Sequence, residues 1–178
     1  MAEILVLVES KQKNKGDEAV YNRLKDLLYS DPKSVKVKRI GSEGGIDRLF
    51  SPDKIGPHYK RHSPNKIVLI ADRKGLLDEK EPHSSRMARV SHVLNLKKSW
   101  NYWKICLVII EEDLENLMRR ITPPGTRIIK GLIGEREADK IDPDLARRDP
   151  SVQKYIETLG CKCEGFEQLK TLLAVDQK

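Results

Sequence analysis

The sequence predicts an α/β fold with a mainly parallel central sheet of about four strands, flanked by helices. Short, continuously apolar segments, typical of strands that are buried on both faces, lie at 4–8, 67–71 and 105–110. Amphipathic segments with helical spacing lie between them. Because strands that alternate with helices are joined by right-handed crossovers, the pattern favours βαβ units and parallel pairing.

Length and charge limit the class of protein. The chain has 178 residues, which is enough for one ordinary domain with a hydrophobic core. Lys and Arg number 34 against 27 Asp and Glu, which gives a net charge of +7 and favours an anionic partner. The apolar runs are shorter than the roughly 18 residues of a membrane helix, and Glu3 and Glu9 flank an N-terminal run that is too short for a signal peptide. We therefore expect a cytoplasmic protein that does not bind membranes.

The first half of the chain contains two predicted strands around a helix. The run at 4–8 is the first strand, and apolar residues between Ala19 and Leu28 then recur at helical spacing. The helix is expected to end before Pro32. The segment 35–40 alternates between apolar and basic residues, which indicates a strand nearer the edge of the sheet.

The middle of the chain contains a basic, proline-containing segment. Residues 51–66 include Pro57 and two further prolines, so we predict an irregular connection with at most one turn of helix. The next buried strand, at 67–71, is expected to stop at Asp72. Apolar spacing over 84–98 indicates another helix.

The last predicted strand, 105–110, is followed by an amphipathic helix over 114–121. We place a domain boundary there, with an α/β domain at 1–121 and a helical C-terminal extension at 122–178. The extension either covers one face of the sheet or forms a small appendage.

Cysteine usage indicates a reducing compartment. Cys106 lies in an apolar run and is interpreted as a small core residue. Cys161 and Cys163 lack the two-residue spacer of redox and zinc motifs, so we interpret them as reduced thiols on a turn. Reduced cysteines agree with a cytoplasmic protein.

Acidic side chains directly follow three buried strands. Glu9 follows the first, Asp72 the second in the apolar series, and Glu111 to Asp113 the third. Ligands of open parallel sheets bind at the carboxyl ends of the strands, and carboxylate oxygens suit Mg²⁺ or Mn²⁺. The pattern favours a divalent-metal site for a phosphate-bearing substrate. The alternative is that these acids cap helix N-termini.

Two of these strand ends resemble the motifs of Toprim domains, the catalytic fold of topoisomerases, bacterial primases and small nucleases, including the overcoming-lysogenization-defect nucleases. The segment 6–11, followed by 16–20, resembles the first motif, in which a strand ends in Glu and an acidic pair opens the next helix. The segment 70–75 lies where the family has Asp-x-Asp, and the pair 44–45 lies where such domains often have a glycine-containing turn. The resemblance covers about residues 3–121.

The resemblance implies magnesium-assisted phosphoryl transfer on nucleic acid. Glu9 would act as general acid or base, and Asp72 would hold the metal. The chain departs from the family at Ser10, which replaces a glycine, in the extra residues 12–15, and at Lys74, which replaces the second Asp. Because an ammonium group cannot ligate Mg²⁺, either an acid after the last strand completes the site or the site is no longer catalytic.

The sequence therefore predicts three sets of functional residues. The catalytic set is Glu9, Lys11 and Lys74, with the two lysines contacting phosphate. The metal set, for Mg²⁺ or Mn²⁺, is Asp72, Glu111 and Asp113. The set that binds nucleic acid, DNA or RNA, is Lys54, Lys60, Arg61, Lys66 and Arg73.

Other interpretations stay open. Asp72-Arg73-Lys74 also has the acid-x-Lys form of restriction-endonuclease-like nucleases, whose core is mixed and antiparallel. His58 and His62 would be paired metal ligands only on a helix, and are otherwise part of a solvated basic loop. The aromatic residues near position 100 are interpreted as core, subunit-interface or base-stacking residues, so a homo-oligomer is compatible with the sequence. A non-catalytic nucleic-acid-binding or assembly module is the alternative function.

Overall fold

The sheet of this protein is parallel throughout the described chain. The structure is a computed structural model that describes residues 3–9, 16–40, 49–76, 104–129, 131–160 and 162–163, with single helical positions at 84, 88 and 91. It confirms the predicted α/β class. The strands are β1 (Ile4–Glu9), β2 (Val35–Ile40), β3 (Lys66–Asp72) and β4 (Lys104–Ile110), arranged in the order β2-β1-β3-β4.

Helices lie on both faces of this sheet. None of those in the described ranges is long and apolar enough to cross a membrane. The predicted helix over 84–98 falls mostly outside the described residues. The helices are α1 (Gly16–Leu28), α2 (Pro52–His62), α3 (Arg73–Leu76), α4 (Leu114–Ile121), α5 (Glu135–Ala138), α6 (Pro143–Arg148) and α7 (Pro150–Leu159).

Two hydrophobic cores lie on opposite faces of the sheet. Val6 and Val8 of β1 belong to a first core with α1, α4 and the C-terminal helices. Leu5 and Leu7 belong to a second core with the buried residues of α2. All six residues of β1 are buried, whereas β2 alternates, as expected for a central strand and an edge strand.

The C-terminal helices cover one face of the sheet. Tyr155 and Leu159 of α7 are buried in the first core together with β1. The Tyr155 hydroxyl donates a hydrogen bond to the Tyr21 carbonyl at 3.1 Å, and the Tyr29 hydroxyl donates one to the Leu159 carbonyl at 3.0 Å. Of the two arrangements expected for the extension, the described part therefore adopts the covering one. Residues 164–178 lie outside the described residues.

Helix α2 corrects the prediction of an irregular connection. Pro52 occupies the first turn, where a missing N–H costs nothing, and Ser63 ends the helix in a left-handed conformation with φ 44°. Pro57 removes one hydrogen bond inside the helix. Ile55 is fully buried in the second core, and its burial offsets that cost. The number of prolines was misleading, because it reports local backbone preferences and not the tertiary contacts of Ile55.

The ammonium of Lys66 binds backbone carbonyls of the protein itself. The side chain is only 6% exposed. Its Nζ donates hydrogen bonds to the carbonyls of Gly160 at 3.0 Å and Lys162 at 3.1 Å, and also to the Thr158 carbonyl. These carbonyls lie at the C-terminal end of α7, where helix carbonyls lack partners and favour a cation. The ammonium of Lys66 is therefore bound inside the protein, and its predicted contact with nucleic acid stays a prediction that this burial disfavours.

A disulfide corrects the expectation of reduced cysteines. Cys106 of β4 is bonded to Cys163, with their Cα atoms 5.0 Å apart. The bond joins the sheet to the segment that follows α7 and closes a separation of 57 residues. Cys161 lies outside the described residues. The spacing of Cys161 and Cys163 was uninformative, since the partner of Cys163 is distant in sequence.

Reduction of this disulfide is expected to lower the free energy of unfolding by about 3 kcal/mol, because cross-linking restricts the unfolded chain. Urea denaturation with and without dithiothreitol measures the difference, and Cys163→Ser is expected to reproduce it. Cys161→Ser is the matched control and is expected to keep the sensitivity to dithiothreitol. Equal stability of the oxidised and reduced protein would contradict this assignment.

Gly16 permits a close approach between α1 and the chain before α5. A Cβ atom at this position would overlap the Ile133 carbonyl oxygen. We expect Gly16→Ala to lower the free energy of unfolding by about 1–3 kcal/mol through overpacking. The control is Gly56→Ala in α2, where an added Cβ meets nothing within 4 Å and better helix propensity raises stability by up to about 1 kcal/mol. Equal effects in urea denaturation would count against the close approach.

Candidate active site

The acid-bearing strand ends lie at one edge of the sheet. Since all four strands are parallel, the ends of β1, β3 and β4 point the same way. In the sheet register Glu9 is level with Ile40, and Asp72 is level with Ile110. The residues 111–113 follow β4 directly. This edge, here called the acidic edge, comprises Glu9, Asp72 and residues 111–113.

Glu9 and Asp72 occupy opposite faces of the sheet at this edge. Because side chains alternate along a strand, Glu9 lies on the same face of β1 as Leu5 and Leu7, which belong to the second core. Asp72 lies on the same face of β3 as Ile70, which belongs to the first core. Glu9 is 7% exposed, whereas Asp72 is half-buried. Any group that both carboxylates contact must therefore lie beyond the strand ends, in line with the sheet.

On the first-core face, Asp72 lies near Tyr21 and Asp17 of α1. Tyr21 is 1% exposed, and its hydroxyl has no hydrogen-bond partner among the described residues. Burial raises the pKa of this hydroxyl well above its usual value, and the negative charges of Asp72 and then Asp17 raise it further. Smaller effects come from Tyr155, which also raises the pKa, and Arg120, which lowers it. The negative charges of both carboxylates thus act on one buried phenol.

Sequence reasoning did not identify Tyr21. Asp17 entered it only as part of the acidic pair that opens α1, and Tyr21 lies one helical turn further on the same face. That four-residue spacing was the available signal. Glu18, the second acid of the pair, accepts a hydrogen bond from the Arg39 amide at 3.3 Å and so contacts the end of β2.

Two of the three acids after β4, Glu111 and Asp113, have partners for their carboxylates. Asp113 is the N-cap of α4 and accepts a hydrogen bond from the Asn116 amide at 2.9 Å, so the capping alternative holds for this residue. Lys74 Nζ lies 3.8 Å from Asp113 Oδ2. Arg73 Nη1 lies 3.0 Å from Glu111 Oε2. Two cations from α3 therefore neutralise two of the predicted metal ligands.

The backbone also connects these two segments. Glu112 has a left-handed conformation, with φ 64°, and its carbonyl accepts a hydrogen bond from the Lys74 amide at 3.4 Å. The Glu111 amide donates to the Ser151 hydroxyl of α7 at 3.4 Å. The turn after β4 is thus placed by contacts to α3 and α7.

Within the described ranges, no group of three or more His, Cys, Asp or Glu side chains is arranged to hold a metal ion. The assignment of Asp72, Glu111 and Asp113 to a metal therefore stays a prediction, as does the catalytic role of Glu9. Lys11 lies outside the described residues.

The remaining basic residues are distributed between two helices. Lys54, Lys60 and Arg61 are exposed on α2, and Arg73 is exposed at the start of α3. They are accessible to an anionic partner, which distinguishes them from Lys66. The glycine pair 44–45 and the aromatic residues near position 100 lie outside the described residues.

These features define a class of site: an acidic edge of a parallel sheet, flanked by exposed cations. No protein-family model matches the chain, and no curated protein matches it. The interpretation of the site therefore depends on the sequence motifs and on the placement of their side chains.

Proposed function

We propose that the acidic edge carries out metal-dependent phosphodiester chemistry on nucleic acid. The observation that supports this most is the buried Tyr21 hydroxyl, which has no hydrogen-bond partner among the described residues and on which the charges of Asp72 and Asp17 act. Buried polar groups in proteins usually have hydrogen-bond partners, and a catalytic role or a bound ion is one explanation for an exception. The net charge of +7 agrees with a polyanionic substrate.

Two carboxylates would hold a hard divalent cation beside this edge. They are Asp72 and, in the first turn of α1, Asp17, and both carry the oxygens that Mg²⁺ and Mn²⁺ prefer. When bound, such an ion stabilises negative charge on a phosphoryl group. Glu9, at the end of the adjacent strand β1, would act as general acid or base, as the resemblance to Toprim domains implies.

Arg73 and Lys74 would contact the substrate phosphates. Their side chains are 46% and 66% exposed, and among the described residues each pairs with a carboxylate of the turn after β4. Exposed ion pairs contribute little free energy, so a phosphate can replace the carboxylate at small cost. Exchange of partners would also release Glu111, whereas Asp113 would keep its hydrogen bond as the N-cap of α4.

A cleavage assay tests this proposal. Labelled single- and double-stranded DNA and RNA are incubated with Mg²⁺ or Mn²⁺ and with wild type, Glu9→Gln or Asp72→Asn. The matched controls are Asp144→Asn and Glu157→Gln, because both acids are exposed on C-terminal helices. We expect cleavage by wild type and the controls and loss in the two edge variants. Equal residual activity in all five proteins would remove the catalytic proposal.

A second candidate function is a nucleic-acid-binding or assembly module that has lost its metal site. The ion pairs Arg73–Glu111 and Lys74–Asp113 favour it, because they neutralise acids that a metal would need. Calorimetry with Mg²⁺ separates the two functions. A saturable site that Asp72→Ala abolishes would argue for the enzyme, and the absence of saturable binding would argue for the module. The parallel sheet disfavours the restriction-endonuclease-like alternative.

The proposal includes a cytoplasmic location, where nucleic acid is accessible. The Cys106–Cys163 disulfide bears on it, since disulfides persist mainly in oxidising compartments and, as an exception, inside hyperthermophiles. Thiol titration of protein taken directly from its source under acid quench tests this point. Fully oxidised Cys106 in protein from a mesophilic cell would argue against the cytoplasm.

A further inference from the structure

Helix α2 covers the face of the sheet that carries the second core, to which the edge strand β2 contributes Ile40. Among the described strands, β2 is at one end of the sheet order. Lys36, Lys38 and Ile40 alternate onto the same face of β2, and Ile40 belongs to the second core with Ile55 of α2. The two lysines therefore stand on the face that α2 covers, further toward the beginning of the strand.

Two histidines of α2 lie next to these lysines. His58 and His62 are four residues apart and so share one helix face, with a rise of about 6 Å between them. Lys38 is the strongest cationic influence on His58, and Lys36 is the strongest on His62. Two strand residues also span about 6.6 Å, so the helix and the strand present cationic or titratable groups at matching levels.

The described surroundings of both imidazoles contain cations and no acid that acts on them. His58 is influenced by Lys38 of β2 and Arg61 of α2. His62 is influenced by Lys36 and Lys38 of β2 and by Arg61 and His58 of α2. The described groups that act on the two imidazoles are thus all basic, which disfavours the imidazolium form in the isolated protein and suits a bound anion.

We propose that the row formed by Lys36, Lys38, His58, Arg61 and His62, here called the basic track, binds the sugar-phosphate backbone of nucleic acid. The inference rests on the proposed function, since it supplies the path by which substrate reaches the acidic edge. Ile40, at the end of β2, is level with Glu9, so the track begins beside the acidic edge and continues away from it along β2. Regular spacing of charge suits a polymer better than a single small anion.

Binding to the track is expected to strengthen as the pH falls. Burial and the neighbouring cations lower the pKa of both histidines from their usual value, so both imidazoles are mainly neutral near pH 7.5. A bound phosphate favours the charged imidazolium and raises these pKa values. Binding therefore takes up protons, and affinity rises between about pH 7.5 and about pH 5.5.

Fluorescence anisotropy with a labelled single-stranded DNA oligonucleotide in EDTA tests the track without cleavage. The test variant is Lys36→Gln with Arg61→Gln. The control is Arg136→Gln with Lys140→Gln, which removes the same charge from exposed positions in and just after α5. We expect about tenfold weaker binding and a salt slope smaller by about 1.4 in the test variant, and less than about a twofold change in the control. Urea denaturation verifies that both variants fold.

The outcomes separate this inference from the proposed function. Equal losses of affinity in the test and control variants would overturn the track and indicate a nonspecific charge effect. Unchanged pH dependence of binding in His58→Gln with His62→Gln would also overturn it. Neither result affects the acidic edge, which is tested by cleavage in Asp72→Asn. Conversely, selective loss of binding in the test variant supports the track even if wild type cleaves nothing.

Discussion

Asp72→Asn is expected to lower the rate of Mg²⁺-dependent cleavage by at least about 1000-fold at saturating substrate. The substitution preserves the shape of the side chain but removes its charge. Among the carboxylates, that of Asp72 has the largest electrostatic effect on the Tyr21 hydroxyl. A bound metal stabilises the transition state by several kcal/mol, and each 1.36 kcal/mol corresponds to a factor of ten in rate. Single-turnover cleavage of a labelled oligonucleotide measures the effect.

Two comparisons keep this result specific to Asp72. Asp113→Asn retains an N-cap residue for α4 and is expected to lower the rate much less, because Asp113 is committed to the cap and to Lys74. Binding of the oligonucleotide in EDTA is expected to stay within about twofold of wild type for Asp72→Asn. Cleavage by Asp72→Asn at the wild-type rate would contradict the assignment of Asp72 to the metal.

Lys66→Met is expected to lower the free energy of unfolding by about 4 kcal/mol. Methionine has a similar shape but cannot donate to the carbonyls of Thr158, Gly160 and Lys162, all of which the ammonium contacts. The contact to Thr158 is buried, whereas those to Gly160 and Lys162 are part-buried. A buried acceptor that loses its donor costs about 1–3 kcal/mol. Urea denaturation monitored by circular dichroism measures the change.

Lys140→Met is the matched control for Lys66→Met. Lys140 is exposed after α5, so the same substitution there is expected to change stability by less than about 0.5 kcal/mol. Equal, small effects of the two substitutions would mean that the ammonium of Lys66 does not stabilise the end of α7. Unchanged nucleic-acid affinity of a folded Lys66→Met protein would show that Lys66 does not contact nucleic acid.

The sequence predicts which strands are buried on both faces and which on one. Strands that are covered on both faces are unbroken apolar runs, as in β1, β3 and β4, whereas β2 alternates. Both β2 and β4 lie at ends of the described sheet order, so the apolar pattern indicates how many faces are covered and not how central a strand is. The prolines and glycine of the segment 51–66 could not predict helix α2, because the helix is stabilised by the burial of Ile55 against residues far away in the chain. The disulfide of Cys106 likewise joins positions that no local pattern relates.

The candidate site was predictable at the level of the sheet edge. Parallel strands place Glu9 and Asp72 at that edge in any register that keeps the cores buried. Alternation could have shown that the two residues face opposite cores, but only if the strand ends were known to the residue. The commitment of Asp113 to a cap and of Glu111 to Arg73 depends on the turn after β4, whose conformation at Glu112 is left-handed.

The central claim is that Asp72 helps to hold a divalent cation at the acidic edge. Isothermal titration of the metal-free protein with Mn²⁺ tests it directly, with Asp72→Asn and the exposed-surface control Glu157→Gln measured alongside. We expect one saturable site in wild type and in Glu157→Gln, and no saturable heat in Asp72→Asn. Identical binding by all three proteins, or no binding by wild type, would contradict the claim.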